Sequence, residues 1–110
     1  LIETIKNDAG PIAIRYTPEF TAICSVGKAP FSGVMEIEYL ADDLLLEFQS
    51  FEIWLREHAN AETTIEGFCK MAFDALTEAL GDIPLAVTVT ATTTVHAPVE
   101  ARIERNFENV

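Results

Sequence analysis

The chain has 110 residues, 49% of them hydrophobic, with 18 acidic against 7 basic side chains and a net charge of −11. That is the size of one domain, residues 1–110, with a core of its own, and only five Gly and five Pro exclude a collagen-like or low-complexity chain. No apolar run approaches the roughly 20 residues of a membrane helix, and seven scattered cations make a poor footprint for a phosphate backbone, which disfavours nucleic acid as a partner.

Residues 1–6 lack the basic segment and long apolar stretch of a signal peptide, so the expectation is an intracellular, cytoplasmic protein. After a polar lead over residues 7–11, Ile12, Ile14 and Tyr16 alternate with Ala13 and Arg15, the period of a strand. Pro18 and Glu19 interrupt it, and Phe20 to Cys24 resume an extended pattern. Residues 25–33, with two Gly and a Pro, read as a loop. Met35, Ile37 and Tyr39 alternate with Glu36 and Glu38, a second strand with one acidic, wet face. Ala41-Asp42-Asp43 turns, and residues 44–48 are extended again.

The period then changes. Phe51, Trp54 and Leu55 fall at the spacing of a short amphipathic helix. Thr63-Thr64-Ile65-Glu66 has the Thr-x-x-Glu form of a capping box and opens a second helix. Its apolar stripe is Ile65, Phe68, Cys69, Ala72, Leu76 and Leu80, and Gly81 ends it. Leu85, Val87, Val89 and Ala91 alternate with Thr88, Thr90 and Thr92 as a β-branched strand. A turn at His96-Ala97-Pro98 leads to a last strand through Val99, Ala101 and Ile103, and the tail, residues 106–110, has no pattern. The expected fold class is α+β, in the order β-β-α-α-β-β. It is an antiparallel sheet with two helices on one face, whose free edges and bare face invite self-association.

Few residues carry chemistry. Cys24 stands where a strand gives way to a loop, a place that suits a nucleophile, while a lone cysteine also serves as a small buried hydrophobe. Cys69, in the helical stripe, is packing. Glu66 reads two ways: as the third residue of a capping box, or as a bidentate acceptor for the paired N–H groups of a purine or pterin ring. His58 and His96 have the chemistry of acids or bases but read as exposed residues beside turns. The sequence has no Gly-rich phosphate loop and no metal-ligand spacing.

Tyr16-Thr17-Pro18-Glu19-Phe20-Thr21-Ala22-Ile23-Cys24, a Gly/Pro/Phe loop, and then Val34-Met35-Glu36-Ile37-Glu38-Tyr39 resemble the opening of the QueF proteins. These are 7-cyano-7-deazaguanine (nitrile) reductases of the tunnelling fold, relatives of GTP cyclohydrolase I, and the resemblance covers roughly residues 15–95. It implies that the sheets join edge to edge into a barrel-like homo-oligomer with sites between subunits. It also implies that Cys24 adds to the substrate nitrile as a covalent thioimide and that Glu66 binds the deazaguanine ring.

Three positions depart from the family. Ala29-Pro30-Phe31 stands where the reductases carry a general-acid aspartate, with no carboxylate between Cys24 and Glu36, and Ile65 replaces the histidine before the substrate glutamate. The NADPH signature, Glu-Ser-Lys-Ser-x-Lys in type, becomes Glu47-Phe48-Gln49-Ser50-Phe51-Glu52, and an acid in place of a lysine repels a 2′-phosphate. The resemblance is therefore to the QueF-like branch, an amidinotransferase that resolves the thioimide with ammonia, without a cofactor, to make archaeosine in transfer RNA. The substrate is then a 7-deazaguanine small molecule or modified base. The alternatives are the NADPH-dependent reductase of queuosine biosynthesis, and a non-catalytic purine- or pterin-binding scaffold.

Overall fold

The computed structural model describes residues 1–107; the last three residues of the patternless tail, 108–110, lie outside the described residues. β2 (Ile12–Tyr16) and β3 (Glu19–Cys24) both pair antiparallel with β4 (Pro30–Ala41) in a single register, Tyr16 opposite Ile37 and Glu19 opposite Val34. The two are one strand that loses a rung at Pro18, which has no N–H to donate. The Pro18 carbonyl still accepts from the Met35 amide at 2.8 Å. β1 (Thr4–Lys6) lies in the segment ahead of the first expected strand and pairs with β5 (Leu44–Leu46) as a separate two-stranded ribbon. Buried Asn7 ties the following turn down, its Nδ2 donating to the Gly10 and Asp42 carbonyls at 2.8 and 2.7 Å.

The loop expected over residues 25–33 is shorter than its Gly and Pro content suggests, because β4 begins at Pro30. Pro30 is the first strand residue, where proline is tolerated, and the Cys24 amide donates to the Ala29 carbonyl at 2.8 Å to close a tight hairpin. Gly33 belongs to the strand for a different reason. At the Ser32/Gly33 step the pairing with β7 (Leu85–Thr93) shifts register, and a Cβ on Gly33 would sit 1.9 Å from the Thr90 carbonyl oxygen. Glycine there lets a bulged partner approach.

Helices α1 (Phe48–Glu57) and α2 (Ile65–Leu80) follow, separated by β6 (Glu62–Thr63), and β8 (Val99–Arg105) completes the main sheet in the order β6-β3-β4-β7-β8, with β2 also on β4. The expected order of elements holds, with β1, β5 and β6 as short additions. Met35, Ile37, Tyr39, Val87 and Val89 turn from the sheet onto Phe51, Phe68, Ala72 and Leu76 of the helices, all fully buried. Phe20 stacks on Phe68 at 5.2 Å between ring centres and meets Phe31 edge-on at 6.0 Å. The helix ends as the sequence predicts: Gly81, at φ 85°, donates its amide to the Thr77 carbonyl.

The other face of the sheet is polar rather than simply acidic. Arg15 pairs with Glu36 at 2.7 Å, and Arg102 reaches Glu38 at 3.3 Å and Glu104 at 3.4 Å. Six of the seven cations (Lys6, Arg15, Lys28, Lys70, Arg102 and Arg105) have a carboxylate within 4.0 Å, which leaves little free positive charge for a phosphate backbone. Among the described residues no helix is long and apolar enough to cross a membrane, and no three His, Cys, Asp or Glu side chains cluster as metal ligands.

Candidate active site

Cys24 is the last residue of β3, and its place is fixed from both sides. Along β3 the ladder to β4 sets its height. Beside it, β6 runs parallel with Ile23 opposite Glu62 and Cys24 opposite Thr63, and the Ser25 amide donates to the Thr63 carbonyl at 2.9 Å. Because β6 leads directly into α2, this pairing brings the start of that helix to the cysteine, across about 40 residues of sequence.

The helix starts one residue later than the Thr-x-x-Glu box implies. Thr63 is committed to β6, so Thr64 is the N-cap, its Oγ1 accepting from the Gly67 amide at 2.9 Å. Glu66 then falls at the second helical position, where its carboxylate cannot take the reciprocal role of the box. The carboxylate is exposed and receives no intramolecular hydrogen bond among the described residues. The first amides of the helix, Ile65 and Glu66, have no acceptor in the preceding chain.

Cys24 and Glu66 line one cleft of about 350 Å³. Its walls are largely apolar: Ala29, Pro30, Phe31, Ile65, Val95 and Val99. This size and lining suit a small ring system held by a few polar groups. Phe31, from the Ala29-Pro30-Phe31 segment after the cysteine, is buried in the wall with only 4% exposure. Cys24 itself is half-buried. The backbone amides of Gly27 and Val26, aimed back at the sulfur by the tight turn, hold its thiol below the ordinary value, and the Lys28 charge adds to them against a smaller opposing effect of burial. Lys28, at φ 62°, also pairs with Glu62 at 2.5 Å.

Cys69 behaves oppositely. It is fully buried, near the Val87 carbonyl at 3.4 Å, and burial pushes its thiol up. Both cysteines are free. The contrast predicts that alkylation by iodoacetamide occurs at Cys24 alone and sets in at lower pH than for a cysteine in a short peptide. The check is a pH series read by peptide mass spectrometry; a Cys24 rate that rises only with the peptide's contradicts the role of the amides.

The two histidines part company. His58 ends α1, half-buried rather than exposed, its ring stacked on Trp54 at 4.2 Å and its Nδ1 2.7 Å from the Trp54 carbonyl. His96, on the loop between β7 and β8, lines the same cleft as Cys24 and Glu66. Nothing in its local sequence signals this, since its position depends on the bulge opposite Gly33.

The segment Glu47 to Glu52 opens α1. Glu47 is the N-cap, accepting from the Gln49 and Ser50 amides at 2.9 and 2.8 Å. Glu52 accepts from the Tyr16 hydroxyl at 2.6 Å, and burial together with that carboxylate pushes the Tyr16 phenol up. Glu19, Glu52 and Arg56 line a second groove of about 300 Å³ beside β3 and α1.

No family model matches the chain. It is 35% identical over 49 residues to the NADPH-dependent 7-cyano-7-deazaguanine reductase of Desulfovibrio desulfuricans, covering 44% of this chain and 29% of that protein. To the reductase of the same name from Elusimicrobium minutum it is 32% identical over 62 residues, 56% of this chain and 47% of that one. The matched region thus spans less than half the length of these curated relatives. Among solved structures, the apo form of an archaeosine synthase named QueF-Like superposes with a TM-score of 0.81 at 18% identity, covering 91% of this chain and 99% of that one. The last likeness shows the fold. Together these matches bear out the resemblance to the QueF and QueF-like family.

Proposed function

We propose that this QueF-related chain is an enzyme of 7-deazaguanine chemistry that captures the nitrile of a 7-cyano-7-deazaguanine base on Cys24 and releases it without NADPH. The observation that carries the reading is the meeting of Cys24 and Glu66 in one apolar cleft, the thiol made more acidic by turn amides and the carboxylate without an intramolecular partner. A guanine-type edge offers two adjacent N–H donors and one carbonyl acceptor. Glu66 takes the donors, and the free amides at the start of α2 suit the carbonyl. The apolar walls take the ring faces and leave the nitrile toward the sulfur.

Addition of the thiol across the carbon–nitrogen triple bond forms a carbon–sulfur bond and a thioimide. Ammonia then adds to the same carbon, the carbon–sulfur bond breaks, and an amidine leaves with the thiol regenerated. No hydride is required. The loss of both signature lysines, with Glu52 in place of one, supports this branch over the reductase, because a 2′-phosphate would meet charge of its own sign there. The unpaired outer edges of β2 and β8 suit edge-to-edge assembly, so the active form is a homo-oligomer with its sites completed between subunits.

The reading expects amidine from the nitrile base and ammonium, with no NADPH oxidation. Product mass spectrometry beside absorbance at the nicotinamide band checks it. Stoichiometric NADPH loss with formation of the amine establishes the reductase instead. A third reading, a binder without catalysis, draws on the absence of a carboxylate between Cys24 and Glu36 and on Ile65 before Glu66. It expects Glu66-dependent binding and neither product.

A further inference from the structure

Adding a thiol to a nitrile moves one proton from sulfur to nitrogen, and the cleft needs a group to carry it. The turn after Cys24 has no carboxylate, and Phe31 is an apolar wall. Lys28 beside the cleft is held by Glu62. Among the described residues the titratable side chains lining the cleft are Cys24 from β3, Glu66 from α2 and His96 from the β7–β8 loop. The His96 ring is oriented by the next residue's backbone: Nδ1 lies 2.7 Å from the Ala97 carbonyl oxygen. A carbonyl only accepts, so Nδ1 carries a proton and Nε2 is the atom left to exchange one. Thr94 and Val95 of the same loop line the cleft beside it, shortly after the register shift of β7 opposite Gly33.

We infer that His96 is the acid–base residue of the cleft, standing in for the carboxylate that the Cys24 turn lacks; this rests on the nitrile reading of the site. Nε2 takes the proton of the Cys24 thiol as sulfur attacks the nitrile carbon. It then returns the same proton to the nitrile nitrogen as the triple bond becomes a double bond. Thiol and nitrile become a thioimide, with no proton gained or lost and no other reactant.

The test compares thioimide formation in the unaltered protein, His96→Gln and His96→Ala, each mixed with 7-cyano-7-deazaguanine and quenched for intact-mass analysis over a pH series. His96 is exposed on a loop, so both variants should keep the thermal midpoint of the parent. The expected result is formation slowed on the order of 100-fold in both, in the range general acid–base catalysis supplies. Added imidazole should restore the rate in His96→Ala, and base affinity should be unchanged within about twofold when His96→Gln is compared in a Cys24→Ala background. A structural role would lower affinity and give no imidazole rescue. An undiminished rate in both variants overturns the role of His96 and leaves the nitrile reading intact. No adduct on the unaltered protein overturns both.

Discussion

Glu66→Ala is expected to weaken binding of a 7-deazaguanine base on the order of 100-fold, about 3 kcal/mol, while the protein stays folded. The magnitude follows from losing a carboxylate that accepts two N–H groups in an apolar cleft, since hydrogen bonds to charged groups contribute roughly 1.5–3 kcal/mol each. The retained fold follows from the position of the helix start. The N-cap is Thr64, bonded to the Gly67 amide, so Glu66 contributes only its favourable place near the positive end of α2, roughly 0.3–1 kcal/mol. Calorimetric titration in a Cys24→Ala background separates binding from reaction. Binding to the Glu66→Ala protein at parental affinity removes the anchor from the account. A loss of thermal stability matching the loss of binding returns Glu66 to a capping role.

Gly33→Ala is the substitution expected to damage the fold most for its size. The added methyl would lie 1.9 Å from the Thr90 carbonyl oxygen, 2.9 Å from its carbon and 3.1 Å from the Thr92 amide nitrogen, all backbone atoms that no rotamer change can move. Relief requires β4 and β7 to separate at the bulge. Overpacking costs about 1–3 kcal/mol and occasionally more, and a backbone clash belongs at the upper end. Because the bulge also sets the loop that carries His96, thioimide formation should fall further than stability explains. Urea unfolding, with reactivity measured well below the midpoint, checks both. A midpoint equal to the parent's shows that the bulge yields freely.

Much of the fold is legible in the sequence where one period dominates. The alternation from Leu85 and the stripe from Ile65 to Leu80 are each long enough to declare their element, and Gly81 marks the end of its helix at the expected residue. Local signals failed where tertiary pairing outweighed them. Thr63 looks like a cap because its own sequence cannot show that β3 claims it as a strand partner. Pro30 and Gly33 look like loop residues, yet one is a strand's first residue and the other accommodates a bulge. Thr4-Ile5-Lys6 is too short to show a period and becomes a strand only against Leu44-Leu45-Leu46.

The candidate site divides in the same way. Cys24 and Glu66 were nameable through the family resemblance, and the pairing of β3 with β6 explains how residues so distant in sequence share a cleft. His96 was not assignable to that cleft, because its approach depends on the register shift between β4 and β7 and no motif records one. The two histidines look alike in sequence. Only the fold separates the one stacked on Trp54 from the one facing the cysteine's cleft.

The most direct test of the central claim is intact-mass spectrometry of the protein after incubation with 7-cyano-7-deazaguanine, beside a Cys24→Ala control. The account predicts a shift by the full mass of the base on the unaltered protein, mapped to the peptide carrying Cys24, and none on the control. A folded protein that binds the base yet gains no mass, or an adduct that persists in the control, would contradict it.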